Sequence, residues 1–294
     1  MIIPSRLAGE YQVQVLKADR TPRLITHWMP NIVTNFGLDS LLSGQNFTAR
    51  CSVGTGTATP LATDNQLHEL VASTDNRKNA FSSRRTEEPW GGVRQVSYEF
   101  GLGAVVGNMN EVGVGTSTTN LFSRALFVDV NGATTTVTVL EDEILYVTYR
   151  VYNYAPVEDQ AFTFDMPSGS HSAIVRACRV GSSNVNSGWG LRDEFAGLNN
   201  VIATDGALSD VFTDPTGVAS GSNSNSTKAY STGDYYRDME CYWTLDRANF
   251  ATGISAMRLE TRGLGCYQFA IDPPIMKTDA DLLSMSFRVS VERA

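Results

Sequence analysis

The sequence predicts a mainly β protein, an antiparallel β-sandwich of jelly-roll-like type with a few short helices and long polar loops. Three observations carry this expectation. Short runs rich in Val, Thr and aromatics alternate with Gly, Asn and Asp for some sixty residues from Val93. An Asn-Gly pair at Asn131-Gly132 sits between two such runs, and strand-like runs return in the last sixty residues. Alternation with period two lays one face of a strand on a core, and Asn-Gly supplies the positive φ that a tight hairpin needs.

Taken in order, EYQVQVL (10–16) alternates apolar and polar residues and opens the chain with a strand. In NIVTNFGLDSLLSG (31–44), Phe36, Leu38, Leu41 and Leu42 recur at mixed three- and four-residue spacing, so a short helix is expected with Asn35 as cap and Gly44 as stop. TDNQLHELVAS, led by Thr63 or Asp64, predicts a second short helix. VRQVSYEFGLG, NEVGVGT, LFSRALFVDV, ATTTVTVL and EILYVTYRVYNY then read as successive strands, with a two-residue hairpin at Asp129 to Thr135. Strands continue through AFTFDM and SAIVRACRV. Composition changes after Gly181, where SSNVNSGWG and VASGSNSNSTKAYSTGD have the chemistry of loops, and Ser220 to Thr227 is expected to be a long exposed loop or a segment ordered by a neighbouring subunit. MECYWTL, CYQFAI and LLSMSFRVSVER close the chain as strands. Four segments result: 1–92, an N-terminal region with a strand and two short helices; 93–180, the sandwich core; 181–245, a Ser/Asn/Gly-rich insertion; and 246–294, completing strands.

At 294 residues the chain can bury a sizeable core as one large β domain or two smaller ones. With 31 acidic against 23 basic residues the formal net charge is −8, which argues against a phosphate-tracking surface and so against nucleic acid. No apolar stretch approaches the ~18 residues of a membrane helix, and the N-terminus lacks the pattern of a signal peptide. Cys51, Cys178, Cys241 and Cys266 are widely spaced without CxxC or His at ligand spacing; buried free thiols are expected, and neither a metal site nor a cofactor. The Gly pairs Gly54/Gly56 and Gly113/Gly115 are not followed by the Lys of a phosphate loop. His27, His68 and His171 lack a Gly-x-Ser-x-Gly elbow, and the carboxylate pairs Glu87-Glu88, Asp142-Glu143 and Asp193-Glu194 are merely adjacent, so no catalytic residue is assigned and an enzyme is not expected. His27 beside Trp28 and Met29 suggests packing, His68 falls in the expected second helix, and His171 in a Ser-Gly loop. Two pairs of segments echo one another: VGTGTATPL (53–61) with VGVGTSTTNL (112–121), and EILYVTYRV (143–151) with DLLSMSFRV (281–289).

Four segments in order carry a resemblance. Asn31-Ile32-Val33-Thr34-Asn35-Phe36-Gly37-Leu38 is followed by VGTGTATPLATDNQL. Asn110-Glu111-Val112-Gly113-Val114-Gly115 is followed by Leu121-Phe122-Ser123-Arg124-Ala125-Leu126-Phe127. A polar hairpin leads to LEDEILYVTYRV, and Pro274-Ile275-Met276-Lys277-Thr278 leads to LLSMSFRVSVER. Over roughly 25–155 and 266–294 the chain resembles structural proteins of tailed-bacteriophage virions. The resemblance implies a non-enzymatic, tail-associated part of a tail tip, baseplate, fibre or collar, assembled in the host cytoplasm with other virion proteins of the tail. It also implies that Gly54, Gly56, Gly113 and Gly115 make turns and that Arg124 pairs or caps. Virion parts follow rotational symmetry, so a cyclic homo-oligomer, trimer or higher, is expected. Trp189, Tyr230, Tyr235, Tyr236 and Trp243 lie in or beside the polar 181–245 region, where they serve as intersubunit contacts or, on a second reading, bind a host surface glycan.

Overall fold

The computed structural model describes residues 2–294. Strands occupy 52% of the chain and helix 3%, which makes the protein mainly β. The first third forms β1 (Ile2–Lys17), β2 (Pro22–Ile25), β3 (Met29–Pro30), β4 (Ile32–Val33), the helix α1 (Asn35–Leu42), β5 (Arg50–Gly54), β6 (Leu70–Thr74), β7 (Arg77–Arg84) and β8 (Gly91–Glu99). The middle forms β9 (Gly107–Met109), β10 (Glu111–Ser117), β11 (Asn120–Leu126), β12 (Val137–Val139), β13 (Glu143–Tyr154), β14 (Gln160–Met166) and β15 (Gly169–Ala177). The last third forms β16 (Leu198–Thr204), β17 (Ala219–Gly221), β18 (Ser224–Thr227), β19 (Tyr236–Trp243), β20 (Ile254–Thr261), β21 (Cys266–Ile275) and β22 (Leu283–Arg293).

The chain falls into two compact units, one of 1–6, 82–93 and 153–292, the other of 7–81, 94–152 and 293–294. These lines differ from the four segments read from composition, because each unit is assembled from stretches distant in sequence. The unit beginning at Leu7 sets the sheet β4-β11-β10-β5-β6 against strands in the order β1-β13-β8-β7. Tyr11 of β1 stacks on Tyr149 of β13 at 4.6 Å, and its hydroxyl is 2.6 Å from Ser123 Oγ of β11. Phe122 of β11 stacks on Phe47 at 4.1 Å and meets Tyr149 edge-on. The other unit packs the sheet β14-β15-β21-β20-β16-β17 against β18-β19-β22, with Phe269 of β21 on Phe287 of β22 at 5.5 Å. In β22, Leu283, Met285, Phe287, Val289 and Val291 are buried while Ser284 and Ser286 are exposed, the alternation expected from the sequence.

Among the described residues one α-helix forms. Its N-cap is Thr34, one residue before the expected Asn35: Thr34 Oγ1 accepts the Gly37 N–H at 2.8 Å and itself reaches Leu121 O. Gly44 stops it, with φ +76. The second expected helix is absent. His68 N–H and Glu69 N–H donate to the Glu111 carboxylate (3.1 and 2.8 Å), and from Leu70 the chain pairs with β5. A carboxylate 42 residues away in sequence thus takes amides that would lie inside the expected helix and bond to carbonyls four residues back. His171 is likewise not in a loop: it lies buried in β15, 2.7 Å from Pro273 O through Nδ1 and stacked on Phe164.

The polar 181–245 region is not the expected run of loops, since β16 to β19 lie within it. Ile202 pairs with Gly221 and Asn225 with Cys241, so Ser220 to Thr227 is ordered by ladder bonds to both neighbours although Ser and Asn are poor strand formers. The Asn-Gly hairpin also differs in type. Only Gly132 has positive φ (+81), and Asp129 N–H donates to Ala133 O while Gly132 N–H donates to Asp129 O, which makes a three-residue loop. β5 and β10, bearing the first pair of echoing segments, are neighbours in one sheet of one unit, so that echo does not relate the two units.

Candidate functional site

Two groups of residues singled out from the sequence each lie within one unit. The first surrounds Arg124. On β11, this side chain is 2% exposed; Nε donates to Glu111 Oε2 (2.9 Å), Nη1 to Asp64 Oδ2 (2.6 Å) and Nη2 to Ala58 O (2.8 Å). Glu111, fully buried, also accepts the N–H groups of Gly56, His68 and Glu69. Arg124 therefore pairs, as the resemblance implies. The glycines around it do not make turns, because Gly54 ends β5 and Gly113 and Gly115 lie within β10. What they provide is close approach: a Cβ on Gly54 would lie 2.2 Å from Glu69 O, and one on Gly56 2.3 Å from Glu111 Oε1. Glu111, the hub, was missed from sequence. Its signal is a carboxylate that opens a strand continued by Val112, Gly113, Val114 and Gly115.

Beside this cluster runs a mostly apolar cleft of about 440 Å³ bounded by Pro30, Ile32, Pro60, Arg124 and Leu126. A smaller hollow of about 130 Å³ adjoins Asn110 and Thr134–Thr136. Arg124 is committed to two carboxylates, and Asn110 to Thr55 O and the Thr136 hydroxyl. The lining offers shape without a reactive pair.

The second group is aromatic, and here the structure splits the expected set. Trp189 and Trp243 are 1% and 0% exposed. Each indole N–H is satisfied inside, Trp189 Nε1 by Cys178 O (2.8 Å) and Trp243 Nε1 by Ser220 O (3.2 Å). Both are core residues and cannot present a ring to a subunit or a sugar. Tyr230, Tyr235 and Tyr236 are half-buried, and Tyr242 is 45% exposed. Tyr235 has φ +54, a conformation rare for a bulky residue, held by its N–H on Tyr230 Oη (3.3 Å) and by Val291 N–H on its carbonyl (2.8 Å). The Arg288 guanidinium lies 3.6 Å over the Tyr236 ring and is gripped by Asp238 at 2.7 and 3.0 Å. That guanidinium holds the Asp238 carboxyl below its ordinary value. The result is a patch of ring faces, a cation and a carboxylate fixed on β19 and β22.

Among the described residues, no three His, Cys, Asp or Glu side chains gather as a metal-ligand set, and no helix is long and apolar enough to cross a membrane. The carboxylate pairs serve locally: Glu143 is ion-paired with Arg23, and Glu88 accepts the Trp90 indole N–H. No family model, curated protein or solved structure matches the chain.

Proposed function

We propose that the protein is a non-enzymatic structural component of a tailed-phage virion, tail-associated and acting through oligomeric assembly. One observation supports this reading above the others. The segments that carry the resemblance at 31–38, 53–61, 110–115 and 121–127 converge on β4, α1, β5, β10 and β11, a single sheet and its helix. They are joined there by the Glu111–Arg124 pair. Residues shared in this way are spent on architecture, as befits a protein whose activity is assembly. Exposed apolar side chains on strands, such as Leu70 and Val71 of β6 and Phe81 of β7, give surfaces for neighbouring subunits in a cyclic homo-oligomer.

Gold-labelled antibody imaging of purified virions, with mass spectrometry of the particles, tests the proposal. Label on the tail supports it, at the tip or fibres for a host-facing part and at the neck for a collar. Virions that stay unlabelled when intact and when partly disassembled, with no copy found by mass, sink it.

The second reading, a module for host surface glycan, is favoured by the Tyr236–Arg288–Asp238 patch, which offers an apolar ring rimmed by charged hydrogen-bonding groups. Because both tryptophans are core, Tyr236→Ala and Tyr242→Ala are the variants that separate the readings. Lost adsorption with intact oligomers favours glycan binding; lost oligomers favour assembly.

A further inference from the structure

In the 153–292 unit, β15 and β21 pair with Ala177 opposite Tyr267, and the next step places Cys178 opposite Cys266. Cys178 N–H donates to Cys266 O at 2.9 Å. The two thiol sulfurs are 3.0 Å apart, and both residues are fully buried. Residues facing each other across an antiparallel ladder have Cα atoms about 4.5–5.5 Å apart, within the roughly 4.4–6.8 Å that a disulfide spans. Neither geometry requires the strands to move. Cys51 and Cys241 belong to other strands, β5 and β19.

Trp189 lies against the backbone that carries this pair. Its indole N–H is bonded to Cys178 O, its ring lies against Tyr267 at 5.5 Å, and it rests on the bare face of Gly265, where a Cβ would come within 2.7 Å of it. The residue belongs to the 178–197 stretch, which carries no strand or helix. Segments with few ladder bonds open more readily than strands.

We infer that Cys178 and Cys266 are a disulfide-forming site, oxidised by exchange with a low-molecular-weight disulfide such as oxidised glutathione when the Trp189 segment opens. One cysteine thiolate attacks the small disulfide, forming a mixed disulfide and releasing one small thiolate. The second cysteine thiolate then attacks the protein sulfur of that mixed disulfide and releases the other. Two protein S–H bonds become one S–S bond, the small disulfide is reduced to two thiols, and the two protons pass to them. In the closed state burial pushes the Cys178 thiol well up, so it is protonated and unreactive; opening restores ordinary thiol acidity. The link would tie together residues 88 apart and so constrain the unfolded chain strongly. This inference does not depend on the virion reading.

The test is to hold the native, full-length chain with oxidised glutathione, then count thiols after denaturation and map peptides without reduction. Thiols falling from four to two, a Cys178 peptide joined to a Cys266 peptide with the loss of two hydrogens, and reversal by dithiothreitol are expected. The oxidised form should melt at least about 5 °C higher. Trp189→Phe, which keeps a ring but removes the indole N–H bond, should speed the reaction about fivefold and give the same link. Four thiols persisting, a link to Cys51 or Cys241, glutathione retained on Cys178, or a rate unchanged by Trp189→Phe would each overturn the inference.

Discussion

Arg124 and Arg6 show how differently two ion pairs act within one chain. Arg6 meets Glu292 at 2.9 Å with both side chains more than half exposed, so water and salt screen the pair and Arg6→Ala should cost under about 1 kcal/mol. Arg124 and Glu111 are 2% and 0% exposed, so removing the guanidinium leaves a carboxylate buried with only backbone amides to hold its charge. Arg124→Met should therefore lose about 3–5 kcal/mol in urea denaturation, and adding Glu111→Gln should restore part of it. Equal losses for Arg6→Ala and Arg124→Met would mean that the buried pair is not the anchor. Glu143 extends the argument to pH. Arg23, helped by the Leu140 N–H, holds the Glu143 carboxyl below its ordinary value against the opposing effect of burial. A depressed carboxyl contributes stability that is fully present above the unfolded value of about 4.3 and is lost as pH falls through the folded value. Arg23→Gln should lower the urea midpoint at neutral pH and make its decline below about pH 4.3 shallower than in the wild type. Parallel curves would exclude this pair as a source of acid sensitivity.

The hairpin at Asp129 allows the turn chemistry to be tested at the level of an element. Were it a two-residue loop, both Asn131 and Gly132 would need positive φ and both would resist substitution. The three-residue loop asks this of Gly132 alone, and Asp129 instead secures the turn by accepting the Asn131 and Ala133 N–H groups at 2.8 and 2.9 Å. A Cβ on Gly132 would meet nothing within 4 Å, so the cost of Gly132→Ala is one of backbone conformation. It should be about 1–2 kcal/mol, whereas Asn131→Ala should stay within about 0.5. Similar costs at both positions would favour the two-residue form. The same contrast explains what the sequence could disclose. Alternation in β22 and the apolar spacing of α1 are local, and they were legible. The Thr34 cap, the lost helix at 63–73 and the strands β16 to β18 depend on partners far along the chain, Leu121, Glu111 and Cys241 among them. The burial of Trp189 and Trp243 was hidden for the same reason, since the carbonyls that accept their N–H groups lie 11 and 23 residues away.

Over the whole molecule, the two ends of the chain meet. Leu7 O accepts the Ala294 N–H at 2.9 Å, Arg6 pairs with Glu292, and β22 neighbours β1 in its sheet while pairing with β19 from Tyr236–Ser290 to Trp243–Leu283. β1 thus has partners close to it in sequence, β2 and β3, and far from it, β13 and β22. Such long-range pairing places refolding in the millisecond-to-second range of β-sandwiches rather than that of helical bundles. It also makes the final strand indispensable. A chain ending at Leu282 loses five buried side chains, Leu283, Met285, Phe287, Val289 and Val291, each contributing roughly 1.5–3 kcal/mol of burial. Their sum, roughly 10 kcal/mol, is as large as the 5–15 kcal/mol by which whole domains are stable. It also leaves β19 paired with β18 alone, with the edge that met β22 open to water. The truncated chain should show no cooperative unfolding transition and no near-ultraviolet dichroism from its tryptophans. A sharp transition in its place would mean that β19 and the six-stranded sheet hold together without β22, and that the ends meet as a consequence of folding rather than as a condition for it.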